Sequence, residues 1–160
     1  MANSLIQTPY VTGKRPVAVP QAHGEVAHER FYYDFTVAGS TTTYVELGIL
    51  PAFCVPVDAI LYLIGTYTGI TTDIGIMSGV AGTIDSLTDT ARTIGDEYFD
   101  GAAMDDADGH IRCTNIDLAQ IAPVEYDRGI GMLFSGTIAA SAAKKLWLAT
   151  TYQQVMKGQP

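Results

Sequence analysis

Apolar and polar residues alternate along most of the chain from residue 25 onward, with the period of two that is typical of half-buried β-strands. The clearest case is Phe31, Tyr33 and Phe35, which alternate with Tyr32 and Asp34. Comparable runs occur at 44–49, 54–64, 73–77, 110–115, 130–138 and 145–153. Because no long amphipathic helix separates them, the pattern predicts an all-β protein, a β-sandwich or jelly roll of about seven to eight strands.

The first part of the chain shows neither the strand period nor the helix period. Residues 1–24 carry Pro9, Gly13, Pro16, Pro20 and Gly24 in a mixed polar stretch. We therefore predict an extended N-terminal arm over 1–24, outside the core, a sandwich domain over 25–153 and a C-terminal tail over 154–160. Fully extended, such an arm would reach roughly 80 Å and could cross onto a neighbouring molecule. A loosely held terminus is the alternative.

The composition indicates a folded protein with little charge on its surface. Apolar residues make up 48% of the 160 residues and charged residues 16%, against about 25% charged in an average soluble domain. We expect part of the surface to meet another subunit. The net charge of −8 repels phosphate backbones and anionic membranes, which argues against a nucleic-acid or membrane partner. The sequence has neither a span-length apolar run nor a signal peptide, so synthesis in the cytoplasm without export is expected.

The negative charge is concentrated in one region. Between Asp85 and Asp127 there are eleven acidic residues and two basic ones. A solvated loop, a Ca²⁺ site built on Asp105, Asp106 and Asp108, and a surface that docks on a basic partner all fit this clustering. The spacing does not match an EF-hand loop, because two of the required ligand positions lack a carboxylate.

A search for chemistry-bearing motifs finds none that defines a catalytic site. The three histidines, His23, His28 and His110, are scattered, and no Gly-x-Ser-x-Gly, dinucleotide or phosphate-loop motif occurs. Cys54 and Cys113 are expected to be two buried thiols, since the cytosol reduces disulfides. We assign no catalytic residue, no metal and no cofactor, and we expect that the protein is not an enzyme.

Aromatic residues offer candidates for a contact surface. Tyr32 and Trp147 lie on the outward register of their predicted strands, and Tyr62 could also be exposed. Together with Lys14 and Arg15 of the arm, they form the candidate interface, because aromatic and arginine side chains are enriched in protein interfaces. Packing in the sandwich core is the alternative for the aromatic residues.

Four successive segments carry a family resemblance. After the polar arm come Phe31-Tyr32-Tyr33-Asp34-Phe35, Val45-Glu46-Leu47-Gly48-Ile49-Leu50-Pro51-Ala52, Val55-Pro56-Val57-Asp58-Ala59-Ile60-Leu61 and Asp73-Ile74-Gly75-Ile76. Over residues 25–152 this pattern of strands and turns resembles the small β-sandwich decoration, or cement, proteins of tailed-bacteriophage heads. The resemblance implies a structural virion protein that binds the major capsid protein on the outer capsid surface as a homo-oligomer, a dimer or a trimer.

Two other functions remain open at this point. One is a tail- or fibre-associated module that recognises a host glycan through exposed Tyr32, Tyr62 or Trp147. The other is an enzyme built on a jelly roll with carboxylate or metal chemistry. If the decoration hypothesis holds and the arm makes the contact, deletion of residues 1–24 should abolish capsid binding and leave the fold intact.

Overall fold

The computed structural model describes residues 4–83, 92–105 and 109–155. Strands dominate these ranges, which confirms the predicted all-β sandwich, with nine strands where the sequence predicted seven or eight. The strands are β1 (Ser4–Gln7), β2 (Val26–Phe35), β3 (Thr43–Leu50), β4 (Cys54–Ile64), β5 (Thr71–Ile76), β6 (Phe99–Ala103), β7 (His110–Arg112), β8 (Arg128–Phe134) and β9 (Ser141–Gln154). A 3₁₀ helix at Ile116–Gln120 precedes β8 and buries Leu118. Within the described ranges, no helix has the length and apolar character that a membrane crossing requires.

The strands form two sheets that enclose one core. One sheet has five strands in the order β1-β3-β8-β5-β6, and the other has four in the order β2-β9-β4-β7. Within the four-stranded sheet, Phe31, Leu148, Leu61 and Ile111 stand opposite one another on successive strands. The first three are fully buried. The alternation of Phe31, Tyr33 and Phe35 with Tyr32 and Asp34 in the sequence therefore separates the inner face of β2 from its outer face correctly.

The N-terminal segment is the main departure from the prediction, because residues 4–24 pack on the chain's own sandwich. β1 pairs in parallel with β3, and the Thr8 hydroxyl donates a hydrogen bond of 2.7 Å to the Leu47 carbonyl. The ring of Tyr10 packs edge-on against Phe31 at 5.1 Å and belongs to the hydrophobic core. The expectation that this segment lies outside the core was therefore wrong. A four-residue strand and a single buried tyrosine are too short to produce a readable period.

Residues 77–83 and 92–98, the described parts of the connection between β5 and β6, cover the outer face of the five-stranded sheet around Glu46. Glu46 points outward from β3 but is completely buried, because Arg92 lies over it with an N–O distance of 2.8 Å. The backbone N–H of Gly82 and the side chain of Gln7 also donate hydrogen bonds to the Glu46 carboxylate. The outer face of the four-stranded sheet has no such cover within the described residues.

Two places in the four-stranded sheet depart from what the local sequence favours or from a regular ladder. Pro56 lies beside a register shift in β4, and a proline cannot donate a hydrogen bond to the ladder, which is why prolines in sheets occur at edges and bulges. The alanines of residues 139–144 favour a short helical turn by their intrinsic propensity, but Ser141–Lys144 extends β9. Pairing of Ser141 with Phe35 of β2 outweighs the helix preference of the alanines, as tertiary pairing commonly does.

Candidate functional site

An aromatic row crosses the outer face of the four-stranded sheet. Strand register places Tyr32 of β2 opposite Trp147 of β9, Trp147 opposite Tyr62 of β4, and Tyr62 opposite His110 of β7. Neighbouring strands lie about 4.8 Å apart, so side chains in such a row are in contact range. His110 is exposed, and the three larger rings are half-buried. We call these four residues the aromatic row.

The rings of the aromatic row contact one another and an arginine. Tyr32 and Trp147 have ring centroids 5.4 Å apart, and Tyr62 and His110 lie 5.9 Å apart. The Arg30 guanidinium lies 5.5 Å from the Tyr62 centroid and 5.9 Å from that of Trp147. Each cation–π contact contributes about 0.5–1 kcal/mol at an exposed site. Arg30 therefore links Tyr62 and Trp147 through two weak contacts.

The row beside the aromatic row gives this face a cationic character. It consists of Arg30, Ala149, Ile60 and Arg112 on the same four strands. Arg112 makes a two-point contact with Asp58, with N–O distances of 2.9 and 3.2 Å. Including Lys145 and Asp34, the outward positions carry three basic and two acidic side chains. This contrasts with the net charge of −8 of the whole chain.

One end of the aromatic row opens into a cleft beside the N-terminal segment. Arg15, Tyr10, Tyr32 and Asp34 are among the residues that line this cleft of about 300 Å³. The Arg15 guanidinium lies 5.6 Å from the Tyr10 ring centroid and shares the cleft with Tyr32. Burial and the nearby Asp34 carboxylate raise the pKa of Tyr32, an effect that Arg15 partly offsets. The Tyr32 phenol is consequently neutral at physiological pH.

The structure thus brings together four of the five candidate interface residues. Tyr32, Trp147 and Tyr62 share the aromatic row, and Arg15 lies at its margin. Lys14 is exposed in the loop next to Arg15, and no contact joins it to the row in the described part of the chain. Sequence reasoning missed Arg30 and His110. Arg30 is two positions before Tyr32 and so shares its face, but which rings it meets depends on strand register, which the sequence does not reveal.

The acidic side chains of the described loops mainly accept backbone hydrogen bonds. Asp105 accepts from the N–H of Gly69 at 2.9 Å and Asp127 from that of Ala52 at 2.8 Å. Across residues 4–83, 92–105 and 109–155, no group of three His, Cys, Asp or Glu side chains could hold a metal ion. Asp106 and Asp108 of the hypothesised Ca²⁺ site lie outside the described residues, so that hypothesis stays a prediction.

The two cysteines are not paired with each other. Both are free thiols, Cys54 buried and Cys113 half-buried. Burial raises the pKa of Cys54 to about 11, and the nearby Asp127 carboxylate acts in the same direction. Burial also raises the pKa of Cys113. Both thiols are therefore protonated at neutral pH and poor nucleophiles, which fits a structural role.

Comparison with known proteins finds similarity among solved structures. A chain in the capsid of Ralstonia phage GP4 is 34% identical, with a TM-score of 0.82 over 96% of this chain and 100% of that one. A chain of the cyanophage Pam1 capsid asymmetric unit is 17% identical, with a TM-score of 0.54 over 89% of this chain and 95% of that one, and shows the fold alone. No family model matches the sequence, and no curated protein matches it.

Proposed function

The chain belongs to the same family as the chain in the capsid of Ralstonia phage GP4, and from this we propose that it is a capsid decoration, or cement, protein. In this proposal it binds the outer surface of a phage head, contacts the major capsid protein and acts as a homo-oligomer, a dimer or a trimer. Its role is structural and involves no catalysis.

The observation that carries the proposal is that the sandwich has one covered and one open sheet face. A subunit that builds a closed shell must meet neighbours on several sides, whereas a protein added to a finished shell needs one attachment face. Around Glu46 the outer face of the five-stranded sheet is covered by its own chain, because Arg92 of the β5–β6 connection lies over Glu46 and both side chains are buried. The four-stranded sheet exposes the aromatic row, which supplies that attachment face.

The chemistry of the open face suits docking on a protein. Trp, Tyr and Arg are the residue types that most often dominate binding energy in interfaces, and the face combines all three. Arg30 already lies over two rings of this face, which reduces the conformational freedom that it would lose on binding. A modest affinity per contact is sufficient, because many copies on one particle, or several in one oligomer, multiply it.

The proposed attachment surface keeps the candidate residues of the sheet and gives the N-terminal segment a smaller part than the arm hypothesis did. The arm hypothesis assigned capsid contact to residues 1–24, but Tyr10 and Val11 of this segment are buried in the chain itself. Deletion of 1–24 would therefore destabilise the sandwich and cannot serve as a clean test of binding. We assign the contact to Tyr32, Tyr62 and Trp147, with Arg15 and Lys14 at the margin.

The test is binding of purified protein to phage heads assembled without it. We predict that Trp147→Ala weakens binding about 30-fold or more, because loss of a central aromatic anchor costs about 2 kcal/mol or more. The matched control is Tyr44→Ala, which removes a half-buried tyrosine from β3 in the other sheet. Co-sedimentation gives the affinity of each variant, and thermal unfolding verifies that both remain folded.

Two results would contradict the proposal. One is equal binding by the natural protein and a folded Trp147→Ala variant. The other is that heads do not assemble at all without this chain, since that would make it a builder of the shell and not an addition to it.

Recognition of a host glycan by a tail or fibre module is the second candidate, and the same aromatic row favours it. Exposed Tyr and Trp rings can stack on the apolar faces of sugars, and Tyr32, Tyr62 and Trp147 lie side by side. A glycan array with the natural protein separates the two functions. Glycan binding that Trp147→Ala abolishes, together with no binding to heads, would favour the module over decoration.

A further inference from the structure

β2 is an edge strand, and one side of it is unpaired in the part of the chain that the structure describes. It stands at the end of the four-stranded sheet, where it pairs with β9. The backbone N–H of Arg30 points to the open side, because the Glu29 carboxylate accepts its hydrogen bond at 3.1 Å. Alternate residues of an antiparallel strand direct their N–H and C=O groups to the same side. The backbone groups of Tyr32 and Asp34 therefore face the open edge.

The N-terminal segment reaches only the first half of this edge. The Glu29 carboxylate also accepts a hydrogen bond of 2.9 Å from the N–H of Ala18, which places the segment beside that half. Further along, residues 32–34 help to line the cleft of about 300 Å³. The strand then ends at Phe35. The stretch 30–34 is thus a short edge that a strand of another molecule can reach.

The side chains on this short edge are complementary to themselves. Its outward positions are Arg30, Tyr32 and Asp34, with opposite charges on either side of the tyrosine. Neither charged residue belongs to an ion pair within the described ranges. If two copies pair antiparallel with Tyr32 opposite Tyr32, each Arg30 stands opposite Asp34 of the other copy. Opposite charges directly across a strand pair stabilise it, and like charges destabilise it.

Other registers of the same pairing lack this complementarity. Pairing centred on Arg30 places two cations opposite each other, and pairing centred on Asp34 places two carboxylates opposite each other. Charged side chains on an exposed edge normally oppose association with another strand. On this edge they oppose it in those registers and favour it in the one centred on Tyr32.

We propose that β2 of one copy pairs with β2 of a second copy, antiparallel about a two-fold axis, with Tyr32 opposite Tyr32. The N–H groups of Tyr32 and Asp34 then donate to carbonyl groups of the second copy, and the two four-stranded sheets become one continuous sheet across a homodimer. The outer face stays free, and the two aromatic rows meet end to end at Tyr32. The inference specifies the homo-oligomer of the proposed function and rests on that part of it.

Sedimentation equilibrium of the purified natural protein tests for the dimer without heads. We expect a monomer–dimer equilibrium at concentrations between about 1 µM and about 1 mM. Asp34→Arg places a positive charge opposite Arg30 in both halves of the pairing and should weaken dimerisation about tenfold or more. The double variant Arg30→Asp with Asp34→Arg exchanges the two charges and should restore dimerisation.

Asp58→Arg is the matched control for the charge variant. Asp58 is also a half-buried acidic residue, but it lies on β4, two strands away from the β2 edge. Its substitution makes the same charge change and should leave the dimer unaffected. Thermal unfolding verifies that each variant is folded. A natural protein that stays monomeric or forms trimers would overturn the proposal, and so would equal weakening by Asp34→Arg and Asp58→Arg.

Disulfide cross-linking tests the register and replaces the charge variants if they do not fold. Cα atoms at a hydrogen-bonded antiparallel position lie about 5.5 Å apart, within the range of a disulfide. Tyr32→Cys should therefore form covalent dimers on oxidation with diamide. Trp147→Cys, one strand further from the edge, should form no more of them than the natural protein. Absence of a cross-link through Tyr32→Cys, or an equal yield through Trp147→Cys, would contradict the proposal.

The outcomes separate this inference from attachment to heads. A dimer that responds to the charge variants as expected but does not co-sediment with heads supports the inference and contradicts the attachment. A monomer that co-sediments with heads overturns the inference and leaves the attachment in place.

Discussion

At the scale of single residues, the covered sheet face depends on glycines as much as on charges. A Cβ added at Gly129 would lie 2.2 Å from Glu46 Oε1, and one added at Gly131 would lie 2.5 Å from Met77 Cγ. These positions in β8 leave room for the Glu46 carboxylate and for the β5–β6 connection. Two glycines at alternate positions of one strand are a sequence signal for close approach to one face of the sheet. That signal could have indicated from the sequence that the outward-pointing side chain of Glu46 is buried.

Neutralising Glu46 tests whether the buried pair holds this cover in place. Glu46→Gln leaves Arg92 in the interior without its opposite charge, so we predict a loss of about 3 kcal/mol in the free energy of unfolding. The control is Asp58→Asn, which breaks the exposed pair with Arg112 and should cost at most about 1 kcal/mol. Urea unfolding gives both values. Equal losses in the two variants would mean that burial does not distinguish the two pairs.

At the scale of elements, long alternating runs could be predicted from the sequence and short or register-dependent features could not. β2, β4 and the second half of β9 alternate over many residues, and all three runs were predicted as strands. In β4 both faces carry apolar residues, so alternation alone does not tell which face lies inward. β1 has four residues, and the first residues of β9 are alanine-rich, so their pairing decides their structure. The outward positions of Tyr32 and Trp147 follow from alternation within a strand. Their contact with Tyr62, Arg30 and His110 follows from register between strands, which alternation within one strand leaves undetermined.

The N-terminal segment is an element whose role in stability can be measured. Tyr10 is 9% exposed and packs on Phe31, so Tyr10→Ala should lower the free energy of unfolding by about 3 kcal/mol. Val19→Ala, in the same segment but 54% exposed, should change it by less than about 0.5 kcal/mol. Urea unfolding compares the two variants. A negligible effect of Tyr10→Ala would restore the view that this segment is an arm independent of the core.

At the scale of the whole molecule, the outer faces of the two sheets differ in how far they are covered. The described parts of the β5–β6 connection cover the outer face of the five-stranded sheet around Glu46, and the outer face of the four-stranded sheet presents aromatic and basic side chains on a protein whose net charge is −8. In the proposed function this asymmetry favours one orientation on a particle, with the aromatic row toward the shell. The net negative charge would then repel one decorated particle from another.

Trp147 is the single tryptophan of the chain and lies in the aromatic row, so it reports directly on the proposed attachment face. The decisive measurement is acrylamide quenching of protein labelled at this position with 5-hydroxytryptophan, which can be excited apart from the tryptophans of the shell. We predict that quenching falls several-fold when the labelled protein binds to heads assembled without it. Unchanged quenching in protein that co-sediments with the heads would show that attachment uses another surface and would contradict the account.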